Sequence, residues 1–314
     1  MRKMLARCAA RCLLVALVLG LLGTPACAPA PELAEDPGSG EDAAAATPRV
    51  TPRATPHENL HSTLYMQTAA EYAALTRQVF RSARRQMQAA LRDSSWTAFP
   101  AQQERGRYRS KPPAVVVDVD ETVLDNSSYQ ARLIRDGERY STDTWNAWVR
   151  EEQAEAVPGA LAFAQAAEEA GVTVVYLTNR DASVEPATRR NLRALGFPLA
   201  EGRDAVLTQG EQAGWEEKEP RREAVAEDFR ILLFLGDNLG DFLPEVDRSI
   251  EARAQLAERY AGYWGRQWFV LPNPQYGSWE GATYGYDYDR SRAQKLREKR
   301  ERLRTARPDS AASP

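Results

Sequence analysis

The feature that most constrains the fold is an apolar run that ends in two aspartates. Residues 114–117 are alanine followed by three valines, and Asp118 and Asp120 come directly after them. Such a run is typical of a strand that is covered on both faces. Residues i and i+2 of a strand point to the same face, so both carboxylates leave the strand together. Two acids this close repel each other unless a cation neutralises one or they share a proton. The pattern therefore predicts a cation-binding site at the carboxyl end of a buried strand, where open α/β sheets bind ligands.

Further apolar runs alternate with helical segments. Strands are predicted at 172–177, 205–207, 231–235 and 267–271. Helices are predicted at 58–91, at 142–152, from 158 to about 170, at 185–195 and near 220–227. The helical periods and the Gly and Pro residues between the runs support these bounds. This alternation predicts βαβ units, and hence a three-layer α/β/α fold with a mainly parallel central sheet and an N-terminal helical extension.

The N-terminus has the pattern of an export signal. Four basic residues lie among the first eleven, and the apolar run 13–22 that follows is too short to span a bilayer. Small residues then lead to Cys27, as in a bacterial lipoprotein signal, in which this cysteine is acylated. Cleavage by an ordinary signal peptidase near Ala28 or Ala30 is the alternative. Lipidation would anchor the protein to the outer membrane, at its periplasmic or surface face.

Cysteine use and composition divide the rest of the chain. Cys8 and Cys12 would leave with the signal, so the exported protein would have no disulfide. We expect a signal peptide at 1–26, a disordered Pro/Ala-rich tether at 27–56, a catalytic domain at 57–289 and a charged tail, helical or disordered, at 290–314. The net charge of −3, without a basic stripe, disfavours nucleic-acid binding.

Three more segments at strand ends carry chemical groups. Thr178 follows the second predicted strand, Lys218 precedes a helix, and Asp237 follows the strand 231–235. A hydroxyl and an ammonium can hold a phosphoryl group, and a carboxylate is a hard ligand suited to Mg²⁺. Each feature alone has an ordinary explanation as a helix cap, a surface lysine or a turn residue. Their joint occurrence at successive strand ends predicts one site.

The chain lacks the residues that several phosphatase and hydrolase mechanisms require. The only histidines are His57 and His61, at the edge of the predicted tether, and no cysteine lies within the predicted catalytic domain. Histidine-nucleophile, Ser-His-Asp and cysteine-phosphatase mechanisms are therefore disfavoured. The GxxxxGK[ST] pattern of nucleotide-binding loops is also missing.

At this level of detail the chain resembles the haloacid dehalogenase (HAD) superfamily. It is similar in particular to the class B-like outer-membrane lipoprotein acid phosphatase/5′-nucleotidase family. The signature aspartates of that family correspond to Asp118, Asp120, Asp237 and Asp241. The similarity extends from about residue 60 to 284, and includes the blocks 66–72, 125–127, 156–159 and 271–281.

The resemblance implies a role for each of these residues. Asp118 would be the nucleophile that forms an aspartyl-phosphate, and Asp120 would protonate the leaving alkoxide and then activate water. Thr178 and Lys218 would hold the transferring group. Mg²⁺ would be bound by Asp118, the backbone carbonyl of Asp120 and Asp237, with Asp241 orienting the surrounding shell. The enzyme would be a phosphoric monoester hydrolase.

Substrate access depends on the segments around the site. About thirty residues beyond the core elements lie between the first and second motifs, which predicts a minimal cap and an open site. Asn179 and Arg180 are predicted substrate contacts, and Tyr276 and Trp145 are predicted to stack on a nucleobase. For Trp148 and Trp279 we favour the core. The expected substrates are nucleotides, nicotinamide mononucleotide and other small phosphomonoesters.

Two other functions and one assembly stay open at this stage. A phosphotransferase would pass the same aspartyl-phosphate to an alcohol. A surface lipoprotein binding haem or another ligand would keep the fold without catalysis, although binding alone does not require the full set of acids and Lys218. The resemblance also allows a homodimer.

Overall fold

The computed structural model of the chain describes residues 57–306. Its strands are β1 (Pro113–Val117), β2 (Leu124–Asp125), β3 (Glu155–Ala156), β4 (Thr173–Asp181), β5 (Val206–Gln209), β6 (Arg230–Gly236) and β7 (Trp268–Val270). Its α-helices are α1 (Leu60–Thr68), α2 (Ala70–Arg92), α3 (Pro100–Arg105), α4 (Ser127–Asp136), α5 (Thr142–Glu151), α6 (Ala160–Glu169), α7 (Glu185–Ala194), α8 (Lys218–Asp228), α9 (Ile250–Arg259), α10 (Ser278–Gly281) and α11 (Arg292–Glu301).

A five-stranded parallel sheet with the order β5-β4-β1-β6-β7 forms the centre of the molecule. β1 lies in the middle, where Val117 pairs with Tyr176 of β4 and with Leu235 of β6. Side chains alternate along β1, so Val115 and Val117 enter one apolar core and Ala114 and Val116 enter the other. Helices cover both faces. The predicted three-layer α/β/α fold is confirmed.

The segment between β1 and β4 carries the small cap. β2 and β3 form an antiparallel pair, and α4 and α5 lie in the connection between them. The sequence predicted α5 but no helix where α4 forms. α4 ends at Gly137, which adopts a left-handed conformation (φ 70°). One face of α4 packs against the domain and places Tyr129 and Leu133 in the core.

The predicted N-terminal helix is interrupted at Ala69, where ψ is 123°. No Gly or Pro marks this break. α1 packs near α4 and turns Thr63 toward the segment that follows β7, where Gln275 Nε2 donates to its hydroxyl at 2.7 Å. α2 packs instead against α6, with Phe80 on Phe163. One straight helix could not pack against both α4 and α6, because they lie in different directions. Tertiary contacts therefore override the helical periodicity of the sequence.

The tail after residue 290 begins as a solvated helix. α11 contains no buried residue, as the sequence predicted. It is nevertheless attached to the domain, because Lys299 Nζ donates to Glu58 at 2.7 Å and also to Glu280. The ammonium of Lys299 also lies 6.0 Å from the ring of Tyr284. These contacts place α11 against both ends of the folded region.

The aromatic cluster around Trp268 should supply much of the stability on one face of the sheet. Trp268 is fully buried, donates from its indole to the carbonyl of Ala98 at 2.8 Å and packs on Phe242 and Tyr263. We expect Trp268→Ala to lower the free energy of unfolding by about 3–5 kcal/mol. Urea denaturation followed by circular dichroism measures this. The control, Trp279→Ala at a 43% exposed position, should change it by about 0.5 kcal/mol or less. Equal losses in the two variants would contradict this account of the core.

Candidate active site

Asp118 lies at the carboxyl end of the central strand. Its backbone N–H donates to the carbonyl of Leu235 at 2.9 Å, which continues the pairing of β1 with β6. Its side chain is 7% exposed, and the hydroxyl of Thr122 donates to Oδ2 at 3.4 Å. The parallel register therefore brings the residues after β1, β4 and β6 to the same edge of the sheet.

The ammonium of Lys218 bridges two of the acids. Nζ donates to Oδ1 of Asp118 and, at 2.6 Å, to Oδ1 of Asp241. All three side chains are buried. Burial alone would lower the pKa of Lys218, but the carboxylates of Asp118 and Asp241 raise it above its usual value, so the lysine stays charged. The positive charge is shared between the predicted nucleophile and a neighbouring acid.

Asp237 adds a third acid to this group. Ligand atoms of Asp118, Asp237 and Asp241 all lie within 4.8 Å of one another. The amide of Asn273 donates to Oδ2 of Asp237 at 2.8 Å. One lysine cannot neutralise three carboxylates, and hard oxygen donors at this spacing are the ligands that Mg²⁺ prefers. The three carboxylates thus fit a divalent cation. Asp118 and Asp237 are the side-chain ligands that the family resemblance implied, and Asp241 lies close enough to join them.

Charge repulsion in this group appears in the pKa values. Burial raises the pKa of Asp118 to about 7, and the carboxylates of Asp241 and Asp120 add to the rise, while Lys218 opposes it. Burial, followed by the charges of Asp241 and Asp118, raises the pKa of Asp237 well above its usual value. Each shift reflects acids that are buried and close together, at a cost that a bound cation would reduce.

Gly236, the last residue of β6, makes room for Asp241. A Cβ atom at position 236 would overlap the carboxyl group of Asp241. That carboxyl is fixed by the backbone N–H of Asn238, which donates to Oδ2 at 2.8 Å, and the turn Leu239–Asp241 is a 3₁₀ helix. Glycine at the end of the strand is therefore required by the close approach of a site residue.

Asp120 has a different environment from Asp118. Its carboxyl accepts hydrogen bonds from Arg180, from the amide of Asn126 and from the hydroxyl of Thr178, the last at 3.3 Å. β4 extends through these residues to Asp181, beyond its predicted end, so Thr178 and Arg180 point to the same side while Asn179 is exposed. The two aspartates thus have separate sets of partners.

The partners of Arg180, Thr178 and Asn179 determine how much of each predicted contact residue is open to a substrate. Arg180 is 1% exposed and its guanidinium is directed to Asp120 rather than to solvent. The hydroxyl of Thr178 also accepts the backbone N–H of Arg180 at 3.1 Å. Asn179 accepts from Arg221 Nη2 at 2.6 Å. Of the three, Asn179 presents the largest exposed surface to a ligand.

Helix α8 connects the segments of the site. Lys218, Arg221 and Arg222 are three and four residues apart, and all are buried on one face. Arg221 donates to the carbonyl of Thr178, and Arg222 donates to the carbonyl of Gly240 at 2.7 Å. Burial lowers the pKa of Arg221 to about 10. The helix therefore holds the end of β4 and the turn after β6 on either side of the lysine.

The aromatic residues lie around the turn that contains Asp120. Tyr276 is partly buried, and its hydroxyl donates to Oε2 of Glu121, a fully buried acid in a left-handed conformation (φ 57°). Burial and the charge of Asp120 raise the pKa of Glu121 well above its usual value. Trp145 packs edge-to-face on Tyr129 at 5.2 Å and lies 5.7 Å from the guanidinium of Arg180. Both predicted stacking residues thus flank the site.

Two further tryptophans test the core assignments. Trp148 is buried, as predicted, and its indole donates to Asn126 Oδ1 at 2.9 Å. The core assignment of Trp279 is wrong, since it is 43% exposed. Its indole donates to the carbonyl of Tyr276 at 3.0 Å, and this local bond holds the ring at the surface.

The cavity directly at the acids is small. It has a volume of about 10 Å³ and is lined by Asp118, Lys218, Asp241 and apolar strand residues. The ammonium of Lys218 fills the space between the two carboxylates at this point. A larger groove of about 860 Å³ lies between α1 and the segment after β7, and Asn273 is in its wall.

Several residues of the site had no role assigned from the sequence. Asn126, Glu121, Arg221, Arg222 and Asn273 all support a side chain of the acid group or its neighbours. The three- and four-residue spacing after Lys218 could have indicated the two arginines. The other partners come from segments far apart in the chain, and no local pattern marks them.

Gly236→Ala should displace Asp241 and lower the phosphatase activity that the family resemblance implies by about 100-fold, since a shift of about 1 Å at a catalytic site can cost that much. Gly240→Ala is the matched control in the same turn, because its added Cβ would make only an ordinary contact, 3.5 Å from Val246. Steady-state kinetics with an aryl phosphate compare the two variants. Similar activities in both would show that the placement of Asp241 is unimportant.

Divalent-cation binding should weaken at acid pH. With the pKa of Asp118 raised to about 7, protons compete with the metal below that value, and affinity should fall by about ten-fold for each further pH unit. In the metal-free protein the raised pKa of Asp118 also makes the free energy of unfolding depend on pH. The contribution of Asp118 is fully present below pH 3.8, the ordinary pKa of the group, and is lost as the pH rises through about 7. Calorimetric titration with Mg²⁺ at several pH values measures the effect. An affinity independent of pH between 5 and 8 would contradict it.

Comparison with known proteins agrees with this geometry. A family model described as HAD superfamily, subfamily IIIB (acid phosphatase), matches residues 42–279. The class C acid phosphatase from Bacillus anthracis is 35% identical, with a TM-score of 0.69 over 79% of this chain and 98% of that chain. A structure of the class C acid phosphatase from Bacillus anthracis with tungstate bound matches at the same identity and coverage, with a TM-score of 0.70.

Two findings lead to one assignment. The family model matches most of this chain, and nearly the whole length of the class C acid phosphatase matches it with the same fold. The chain belongs to the subfamily IIIB acid phosphatases of the HAD superfamily, and it is a phosphoric monoester hydrolase acting on small phosphomonoesters.

Proposed function

We propose that this acid phosphatase is an exported, Mg²⁺-dependent enzyme that works through an aspartyl-phosphate on Asp118 and accepts 5′-nucleotides. The observation that carries the proposal is the separation of the two strand-end acids. Asp118 shares the ammonium of Lys218 and lies within the acid group, whereas Asp120 is held apart by Arg180 and Asn126. This separation supports attack by Asp118 and proton transfer by Asp120.

In the first step, a carboxylate oxygen of Asp118 attacks phosphorus in line with the ester oxygen. The bond from phosphorus to the ester oxygen breaks, and Asp120 gives its proton to that oxygen, which leaves as an alcohol. Lys218 compensates charge on the transferring group, as expected for a reaction that depends mainly on positioning and electrostatics.

In the second step, the ionised Asp120 takes a proton from water. The water oxygen attacks phosphorus, the bond to Asp118 breaks, and inorganic phosphate and the free carboxylate are formed. Asp120 is thereby protonated for the next turnover, so protons balance over the cycle.

Asp118, Asp237 and Asp241 would hold the divalent ion, with the backbone carbonyl of Asp120 as the ligand implied by the family. When bound, Mg²⁺ neutralises negative charge on the phosphoryl group. The tungstate bound to the class C enzyme supports an oxyanion site in this fold, because tungstate, like phosphate, is a tetrahedral oxyanion.

Nucleotide substrates are proposed from the aromatic residues beside Asp120. The hydroxyl of Tyr276 donates to Glu121, the residue after Asp120. The ring of Trp145 lies beside the guanidinium of Arg180, which donates to Asp120. Their rings could contact a nucleobase or a nicotinamide ring while the phosphate lies at Asp118. Nicotinamide mononucleotide and aryl phosphates belong to the same group of proposed substrates.

Export and lipid anchoring at Cys27 remain proposals from the sequence, since Cys27 lies outside the described residues. The described helices include none with the length and apolarity needed to cross a membrane. The proposed domain bounds of 27–56 and 57–289 also stand as predictions; the family match begins at residue 42, within the proposed tether. Mass spectrometry of the mature N-terminus would find an acylated Cys27, and an unmodified terminus at Pro29 or Pro31 would refute the anchor.

The test of the reaction is phosphate release from a 5′-nucleotide by the purified protein. Activity should be lost with EDTA and return with Mg²⁺, since the acid group needs a cation. Asp118→Asn should lower turnover by at least about 10³-fold while the fold is kept. The matched control is Asp136→Asn, at an exposed acid on α4.

The product distinguishes the remaining alternatives. Phosphate appearing on an added alcohol rather than in solution would identify a phosphotransferase. Negligible release with and without metal would overturn the proposal and favour a ligand-binding lipoprotein. Substantial activity in Asp118→Asn would show that the nucleophile is misassigned. Light scattering would test the homodimer that the family resemblance allows.

A further inference from the structure

The two carboxyl oxygens of Asp120 have unequal surroundings. Oδ1 accepts from Arg180 Nη2 at 2.8 Å, from Asn126 Nδ2 at 2.9 Å and from Arg180 Nε at 3.0 Å. Among residues 57–306, Oδ2 has only two hydrogen-bond contacts, both of them long, with Arg180 Nε and with the hydroxyl of Thr178, each at 3.3 Å. Three good donors saturate Oδ1 as an acceptor, so a proton is accommodated only on Oδ2.

The amide of Asn126 is oriented by its other neighbours. Its Oδ1 accepts from the indole of Trp148 at 2.9 Å and from Arg180 Nη2 at 3.4 Å. Both of these groups are donors only, so they select the oxygen end of the amide. The NH₂ end must therefore face Asp120. Trp148, which does not touch Asp120, decides in this way how Asn126 contacts it.

The guanidinium of Arg180 is itself fixed in place. Nη1 donates to the hydroxyl of Thr188 on α7 at 3.1 Å, and the side chain is 1% exposed. The ring of Trp145 lies 5.7 Å from its central carbon. The arginine is therefore held from β4, α5 and α7, and it needs no rearrangement to bind the carboxyl.

This arrangement is separate from the nucleophile. The carboxyl of Asp118 bonds only to Lys218 and Thr122 among the described residues. In the described part of the chain, none of Arg180, Asn126 and Trp148 is hydrogen-bonded to Asp118, Lys218 or Thr122. Disturbing the partners of Asp120 should thus affect proton transfer more than attack on phosphorus.

We propose that Arg180, Asn126 and Trp148 are positioning residues that anchor Oδ1 of Asp120 and leave Oδ2 as the oxygen that transfers the proton. The inference rests on the proposed role of Asp120 as acid and base. With Oδ1 held, rotation of the carboxyl is prevented and Oδ2 stays directed to the leaving oxygen. Trp148 acts through Asn126, two steps from the reacting atoms.

The test compares substrates that need different amounts of help from an acid. A nucleoside 5′-phosphate releases a basic alkoxide that must be protonated, whereas p-nitrophenyl phosphate releases a stable phenolate. The ratio of kcat/KM for the two substrates reports the steps up to cleavage of the ester bond. It therefore measures proton donation and not general damage to the site.

The variants are Arg180→Lys, which keeps the charge but not the fork of donors, and Trp148→Phe, which removes only the indole N–H. Asp120→Asn serves as the reference for complete loss of the acid, where the ratio should fall by about 100-fold or more. Arg180→Lys should lower the ratio by about ten-fold and Trp148→Phe by about three-fold. The control Trp96→Phe removes a buried indole bond to Leu232 away from Asp120 and should not change the ratio.

Each outcome decides a different point. A fall in the ratio for Asp120→Asn and for both positioning variants supports the proposal. If Asp120→Asn lowers the ratio but the other two variants lose activity equally on both substrates, the positioning role is overturned and the proposed function stands. An unchanged ratio in Asp120→Asn overturns the acid role itself. Should Arg180→Lys fail to fold, Trp148→Phe decides alone.

Discussion

The ion pair network of Lys218 with Asp118 and Asp241 is the interaction on which the rest of the site depends. Three carboxylates, two of them buried and that of Asp237 partly buried, lie together at the end of the sheet, and among residues 57–306 only the ammonium of Lys218 forms ion pairs with them, to Asp118 and Asp241. Burial and mutual repulsion raise the pKa of Asp118 and Asp237. Such a group persists because the surrounding fold holds it, and it has its strongest affinity for a species that brings positive charge. This is the physical basis for the proposal of a metal-assisted phosphoryl transfer.

The fold supports this concentration of charge from several directions. Pairing of β1 with β6 sets Asp118 beside the turn that carries Asp237, and Gly236 leaves space for Asp241. Helix α8 supplies Lys218 and uses two buried arginines to hold the neighbouring backbone segments. Asp120 is bonded to a separate set of donors, so that acids only two residues apart lie in different environments.

The sequence predicted the five strands of the central sheet, their parallel arrangement and the acids at their ends, because strand periodicity and strand-end chemistry are local properties; it did not predict the short antiparallel pair of β2 and β3. It could not locate the break at Ala69 or the formation of α4, which depend on tertiary packing. It also gave Arg180 to the substrate, whereas its guanidinium is directed to Asp120. That partner is 60 residues away, and only the register of β4 beside β1 brings the two together. The exposure of Trp279 has a local cause instead, its bond to the carbonyl of Tyr276, which the pattern of residue types does not show.

The most direct test of the account is to identify the group that carries phosphate during turnover. Rapid acid quenching of the Mg²⁺-loaded enzyme with excess nucleotide, followed by peptide mass spectrometry, should find phosphate on the peptide that contains Asp118, and reduction with borohydride should mark that side chain. Phosphate on another residue, or no phosphorylated peptide while phosphate is being released in a pre-steady-state burst, would contradict an Asp118 intermediate.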